Sequence, residues 1–338
     1  MNNKLLTVVY PWKATFCLTY RCNLRCGFCR IWEKDSSDEL SFDEWIQVFK
    51  KSPQFLWIDF TGGEILTRPD WLDIISATYN ILKPFAIHLP TNGWLGDKLS
   101  LLAETKFKNK LTITVSIDGP TELHDKMRGR AGSWSRAAET LKMLRRLGIK
   151  SVAGMTLTKE NEDFILETVS EIKRCVPDFK ESELHINLAQ ISEHYYGNSR
   201  RDFEQAEKIP SCKVRFWPPK EFVRSILERR YLALLPEFLK TRRCPMPCKA
   251  LTSSLFVSPQ GKVYPCITDS RTIGNLRENG FNLIEILSSL QKEKLRQSII
   301  DGDCPHCWTP CEAYPTVIES NSFLRLTKDI LRAARIML

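Results

Sequence analysis

The sequence predicts an α/β fold, a partial (βα)6 TIM-like barrel carrying a small cysteine-rich C-terminal extension. Three observations predict it. From Ala14 onward, short apolar runs alternate with helical patterns, the sign of βαβ units around a parallel sheet. Six such repeats can be counted, two short of a closed eightfold barrel, so the sheet is expected to stay open. Cysteines gather at both ends of this array, as Cys22, Cys26 and Cys29 after the first strand and as six thiols between Cys244 and Cys311.

The strands are expected at Ala14 to Thr19, Phe55 to Phe60, Phe85 to Leu89, Leu111 to Ile117, Ser151 to Leu157 and Glu183 to Ala189. Helices are expected at Phe42 to Lys50, Asp70 to Leu82, Trp134 to Leu147 and Asn161 to Cys175. Ser41 with Glu44 three residues on has the form of a capping box, and Gly148 is placed as a helix stop. These elements imply a lead-in over 1–13, a barrel core over 14–194 and a helical bridge over 195–243, with Lys220 to Lys240 as its clearest helix. A cysteine-rich domain over 244–315 follows, in which Ser258 to Tyr264 reads as a hairpin turn. A basic amphipathic helix is expected over 316–338, with Phe323, Leu326, Ile330 and Met337 on one side and Arg325, Lys328, Arg332 and Arg335 on the other.

At 338 residues and 43% hydrophobic content, the chain can bury a large core with an appendage. Its first twenty residues lack the plan of a secretory signal, and no apolar run is long enough to span a membrane. Twelve cysteines are therefore read in a reducing cytoplasm, where clustered thiols bind metal more often than they form disulfides. The net charge of +9 is concentrated: residues 201–250 contribute twelve Lys/Arg against six Asp/Glu, and residues 321–338 four against one. Solvated helix faces explain this, as does attraction to an anionic substrate, nucleotide or lipid surface. An anionic membrane surface met through the C-terminal helix is one such partner; no nucleic acid is expected.

In open α/β sheets function sits at the C-terminal ends of the strands. The loops there are unusual: the three-cysteine loop follows strand one, Thr61-Gly62-Gly63-Glu64 strand two, Thr91-Asn92-Gly93 strand three and Asp118-Gly119 strand four. The spacing Cys22-x3-Cys26-x2-Cys29 lets one loop hold three corners of a four-iron cluster and leave the fourth iron open. A zinc site and a set of packed thiols are the alternatives.

Cys-x3-Cys-x2-Cys, with the aromatic Phe28 before the last cysteine, resembles the signature of the radical S-adenosylmethionine (SAM) superfamily. The resemblance implies a [4Fe-4S] cluster whose open iron chelates SAM, a 5'-deoxyadenosyl radical, and hydrogen abstraction from substrate. Gly62-Gly63-Glu64 is similar to the family's Gly-Gly-Glu, implying contact with the SAM amino group. The run from Ser116 through Asp118, His124 and Asp125 to Arg128 resembles the branch with extra clusters. By that resemblance Ser116 meets the ribose or methionine end and Arg128 the SAM carboxylate. Arg128 pairing with Asp125 or Glu122, and Asp118 capping a turn, are the bland alternatives; Thr91 and Asn92 read equally as cofactor contacts or turn formers.

Cys248-x12-Gly261-x4-Cys266 followed by Cys304-x2-Cys307 resembles the SPASM and twitch extensions, implying at least one auxiliary [4Fe-4S] cluster. Cys244 and Cys311 are then spare, alternate ligands, or partial ligands of a second cluster. Cys17, Cys175 and Cys212 are isolated and read as inert buried thiols. His88 and His185 fall in strands where they can point into the barrel, as core or rim histidines rather than catalytic bases. The expected function is a radical SAM oxidoreductase or maturase served by a low-potential flavodoxin or ferredoxin-type donor. Its substrate is a small sugar-like, lipid or phosphorylated metabolite, or a peptide. Relatives that recognise leader peptides in cis carry an N-terminal domain, whereas about a dozen residues precede strand one here; this weakens the peptide reading without removing it, since a separate partner could present the leader. The alternative is a non-catalytic zinc or iron-sulfur scaffold or redox sensor.

Overall fold

The computed structural model describes residues 9–208 and 222–320. Cys212 and the expected helical face Phe323 to Leu338 lie outside the described residues. Six parallel strands form in order: β1 (Lys13–Thr19), β2 (Trp57–Gly62), β3 (Ala86–Thr91), β4 (Leu111–Ser116), β5 (Ser151–Leu157) and β6 (Leu184–Leu188). Between them run α1 (Phe42–Lys50), α2 (Trp71–Leu82), α3 (Thr121–Arg128), α4 (Ser133–Arg146) and α5 (Ile165–Cys175). Strand alternation sorts the side chains. Ile58, Phe60, Ile87, Leu89, Ile113 and Val115 are buried against the helices, while His88, Thr112, Thr114, Ser116, His185 and Asn187 face the barrel interior half-buried.

Local signals account for the helix boundaries. Ser41 and Glu44 exchange both bonds of a capping box, Ser41 N donating to Glu44 Oε2 at 2.8 Å, an arrangement worth about 1 kcal/mol. Gly148, at φ +64°, ends α4 in the left-handed region that glycine tolerates. The outer core is aromatic: Phe16 of β1 meets Trp45, Phe49 and Phe55 edge-on at 5.5–5.9 Å.

The C-terminal region departs from the expected appendage. Past α6 (Phe222–Thr241), strand β7 (Ser254–Val257) pairs in parallel with β1, and β8 (Lys262–Tyr264) and β9 (Gly274–Asn275) add antiparallel, so one sheet runs in the order 6-5-4-3-2-1-7-8-9. Three helices follow: α7 (Leu283–Leu287), α8 (Leu290–Ile300) and α9 (Pro310–Glu319), the last running across the expected boundary at 315. Helices α6 and α9 close over the barrel. Glu228 of α6 pairs with His185 of β6 at 3.2 Å and accepts from Tyr314 of α9, whose ring packs on Trp57 of β2 at 6.3 Å. Residues 195–208, expected as part of a helical bridge, are irregular; Asn198 and Asp202 bond back onto the cysteine loop, and Ser199 and Asp202 close a local turn. No described helix is long and apolar enough to cross a membrane.

Candidate functional site

The three-cysteine loop leaves β1 at Thr19 and is strapped from both sides. On one side Gly63 N donates to Thr19 O and Glu64 N to Arg21 O, both at 2.8 Å; on the other Arg25 N donates to Arg128 O at 3.2 Å and Gly27 N to Met127 O at 3.0 Å. The glycines make this approach. A Cβ on Gly63 would lie 2.4 Å from Arg21 O, and one on Gly62 would lie 2.5 Å from Thr19 O. The resemblance implied cofactor contact for Gly62-Gly63-Glu64; the structure shows that the two glycines allow the cysteine loop itself to pack.

Glu64 is fully enclosed. Thr91 Oγ1 and Asn92 N donate to its Oε2 at 2.9 and 2.7 Å, and Leu66 N to its Oε1 at 3.3 Å. Burial pushes its carboxyl up against these donors, so a cation arriving there would be drawn in. Thr91 and Asn92 thus hold the carboxylate, and Asn92 Nδ2 also reaches Asn23 of the cysteine loop at 2.8 Å.

Arg128, contrary to the expected surface alternative with Asp125 or Glu122, is buried and paired through Nε with Asp118 at 2.6 Å. Its guanidinium lies 5.6 Å from the Phe28 ring centre, and Nη1 approaches Cys26 Sγ at 3.9 Å. Asp118 is more than a turn cap: its Oδ1 accepts from Thr156 N at 2.9 Å, and its own N–H donates to His124 Nδ1. Burial, then the charge on Arg128, lowers the His124 pKa to about 4, keeping that ring neutral. Asp125 instead collects the start of α4, accepting from Gly132 N, Ser133 Oγ and Trp134 N. Ser116 ends β4, half-buried beside Gly154.

Sequence reasoning missed the segment 194–204, which covers the loop. Arg30 N donates to Tyr196 O at 2.9 Å, Asn198 Nδ2 to Phe28 O at 2.8 Å, and Arg30 pairs with Asp202 at 3.0 Å. Tyr195 shares a 2.5 Å bond with Thr61 Oγ1. Between this segment and the loop lies an open cleft of about 310 Å³, bounded by Gly27, Phe28, Met127, Thr158 and Phe203. No local pattern marked the segment, since its partners on the cysteine loop and at Thr61 are more than 130 residues distant.

Inside the barrel, one layer below this rim, runs a polar chain. Lys13 pairs with Asp59 at 2.8 Å, Asp59 faces His88 Nδ1 at 3.4 Å, and His88 Nε2 meets Thr114 Oγ1 at 2.8 Å. His88 and His185 therefore do point into the barrel, each beside a carboxylate.

The second thiol group lies around α8. Cys244, Cys248, Cys266, Cys304 and Cys307 line one small cavity, while Cys311 faces away, packed with Tyr196 near Tyr195 and Phe256. Backbone N–H groups already point at the sulfurs, from Ala250 to Cys248 and from Asp269 to Cys266, both at 3.4 Å. Burial pushes these thiols up, Cys266 to about 12 and Cys244 to about 11, as it does Cys22 (about 11) and Cys29 (about 12) in the first loop. A bound metal would supply the positive charge that stabilises thiolates in such surroundings. The donor set of both groups fits iron-sulfur clusters. All eleven described cysteines are unbridged, and Cys175, expected buried, is exposed at the end of α5.

Comparison with known proteins agrees with this geometry. The radical SAM superfamily profile matches residues 16–172, and that of the SPASM iron-sulfur cluster-binding domain matches residues 248–308. The antilisterial bacteriocin subtilosin biosynthesis protein AlbA of Bacillus subtilis (strain 168) is 27% identical over 336 residues, covering 93% of this chain and 70% of AlbA. An AdoMet-dependent heme synthase of Methanosarcina barkeri (strain Fusaro / DSM 804) is 26% identical over 309 residues, 86% of each chain. In fold, the chain is similar to Streptococcus suis SuiB bound to its precursor peptide SuiA, with a TM-score of 0.59 at 16% identity over 93% of this chain and 74% of SuiB. The chain belongs to the radical SAM superfamily and carries a C-terminal SPASM domain, so that its cofactors are a [4Fe-4S] cluster, SAM and auxiliary iron-sulfur.

Proposed function

We propose that the protein is a radical SAM maturase that modifies a peptide side chain held in the barrel interior. The observation that carries this is the convergence of Glu64, Arg128 and Phe28 on the strapped cysteine loop. Bound there, the cluster and SAM would supply radical chemistry able to remove hydrogen from an unactivated carbon.

The chain's own residues do the rest. Cys22, Cys26 and Cys29 are the three thiols that would hold the cluster. Glu64, oriented by Thr91 and Asn92, accepts the SAM ammonium; Arg128, held through Nε by Asp118, directs its remaining donors at the SAM carboxylate. Ser116 and Phe28 line the nucleoside side, Phe28 facing the cleft beneath segment 194–204. Cys248, Cys266, Cys304 and Cys307, with Cys244 alongside, would hold an auxiliary cluster, which would supply a one-electron site there. Half-buried polar groups on the inner face, among them Thr112, Thr114 and Asn187, orient the substrate.

The peptide reading draws on the near full-length similarity to AlbA and on the shared fold with SuiB. The similarity to a heme synthase supports a small-metabolite reading second. The unbridged cysteines suit a reducing cytoplasm. The test is anaerobic reconstitution with iron and sulfide, followed by SAM and dithionite. Formation of 5'-deoxyadenosine, accelerated by a short peptide encoded beside the gene, is expected. Stoichiometric zinc with no SAM cleavage would return the protein to the scaffold class, and acceleration by a tetrapyrrole instead would replace the peptide.

A further inference from the structure

Most arginines around the loop are neutralised. Arg30 pairs with Glu33 and Asp202, Arg68 with Asp70, and Arg136 with Asp97. Arg21, Arg25 and Arg130 are different: all three are exposed, and none has a carboxylate within 4.0 Å among the described residues. They also lie directly on the cysteine loop. Arg25 Nη1 donates to Cys22 O at 2.9 Å and Arg130 Nη1 to Asn23 O at 3.2 Å, while Arg21 precedes Cys22 in the chain. Two of the three are stiffened by indole rings, Arg130 over Trp94 at 3.5 Å and Arg25 over Trp32 at 4.8 Å. Guanidinium held flat on an aromatic face loses little freedom when it meets an anion.

We propose that the outer face of the Cys22–Cys29 loop is the docking surface of an acidic, low-potential electron-carrier protein, gripped by Arg21, Arg25 and Arg130. This rests on the radical SAM reading, which requires one electron to reach that loop in each cycle. The transfer is a single outer-sphere step: the reduced flavin or iron-sulfur centre of the carrier loses one electron, the oxidised cluster of the loop gains it, and no bond forms or breaks.

Three features favour this occupant. The thiols point inward while Arg21, Arg25 and Gly27 face solvent, so a partner seated there is separated from the cluster by little more than the loop backbone. Three exposed guanidiniums free of salt bridges among the described residues, of which Arg21 meets only the more distant charge of Glu39, complement an acidic carrier and accelerate its arrival. A compact ring around one loop, rather than a stripe, is a poor track for a nucleic-acid backbone.

The test uses the reconstituted protein and an acidic bacterial flavodoxin as probe. Affinity is read by binding titration against oxidised flavodoxin, and cluster reduction by the rate of bleaching with flavodoxin hydroquinone and, separately, with titanium(III) citrate. Wild-type affinity should weaken as salt rises. The triple change Arg21→Glu, Arg25→Glu, Arg130→Glu should weaken it about tenfold or more at low salt and remove the salt dependence. The ratio of flavodoxin-driven to citrate-driven reduction should fall likewise. Should the triple variant fail to load iron, Arg21→Glu alone, whose side chain makes no bond to the loop, should still weaken binding several-fold. Unchanged affinity in Arg21→Glu and in the triple variant, an unchanged ratio, or tighter binding of a single-stranded oligonucleotide at the same residues overturns the proposal. Absence of SAM cleavage with chemical reductant, in protein whose cluster flavodoxin reduces normally, counts against the function and not against the docking surface.

Discussion

Replacing Gly63 by alanine should unseat the cysteine loop while leaving every thiol in the sequence. The added Cβ would stand 2.4 Å from Arg21 O and 2.7 Å from Tyr20 O, about 1 Å short of ordinary van der Waals contact. Both obstacles are backbone, so relief requires the loop to move as a unit. A displacement of that size takes the bonds Gly63 N to Thr19 O and Glu64 N to Arg21 O, both 2.8 Å, out of hydrogen-bond range. Overpacking costs about 1–3 kcal/mol, and each lost bond about 0.5–1.5 kcal/mol. The total is about 2–6 kcal/mol, toward the lower half because Arg21 O figures in both the clash and one of the bonds. Urea unfolding of the apoprotein should register this loss, and anaerobic reconstitution should yield fewer irons per chain. Gly27→Ala is the control. Although it lies between Cys26 and Cys29, a Cβ there meets nothing within 4 Å, and stability should change by no more than about 0.5 kcal/mol. Wild-type stability and full iron loading in Gly63→Ala would refute the packing role assigned to this glycine.

Three further outcomes follow from the same contacts. Glu64→Gln should load iron normally but lose SAM affinity by about tenfold or more, read by equilibrium dialysis, since a charge-assisted bond becomes a neutral one; unchanged affinity would remove Glu64 from the cofactor site. Lys13→Met leaves buried Asp59 with only His88 and the Trp57 indole N–H as partners and should cost about 3–5 kcal/mol at neutral pH. Burial acts to raise the Asp59 pKa, but Lys13 and His88 outweigh it and hold the carboxyl well below its usual range. Its contribution is therefore present above about pH 4 and lost as pH falls toward the folded value. The gap between wild type and variant should narrow in acid; a gap constant with pH would contradict the ion-pair account. Finally, Cys266→Ser or Cys307→Ser should remove about four irons per chain, whereas Cys311→Ser should remove none, because Cys311 faces away from the cavity shared by the other five; equal iron loss in all three would return Cys311 to the ligand set.

Much of the fold was legible because its signals are local. Each of the six barrel strands is a run of five to seven residues whose outward positions are apolar, and the boundaries of β4 and β5 fall within a residue of the pattern. The Ser41–Glu44 box and the Gly148 stop act over three or four residues, within reach of sequence inspection. The helix α3 was missed because only two of its first seven residues, Leu123 and Met127, are apolar, too few to show a periodic face. The parallel pairing of β7 with β1 was missed because it joins segments about 240 residues apart.

By itself the sequence determined that three cysteines share one short loop, that Gly-Gly-Glu and the Ser116 to Arg128 run follow neighbouring strands, and that a second thiol group closes the chain. These are matters of spacing, and a chain of fixed bond lengths turns spacing into proximity whenever the residues share a loop or a strand end. Only the tertiary structure decided who answers whom. Gly63 touches the cysteine loop rather than a ligand, and Arg128 is answered by Asp118 instead of a surface acid. Asp59 unites Lys13 and His88, and Cys311 turns away from the other five thiols. Each of these pairings is chosen by burial, which requires every enclosed charge to find a partner and every close approach to find room, and neither condition can be read before the strands are laid side by side.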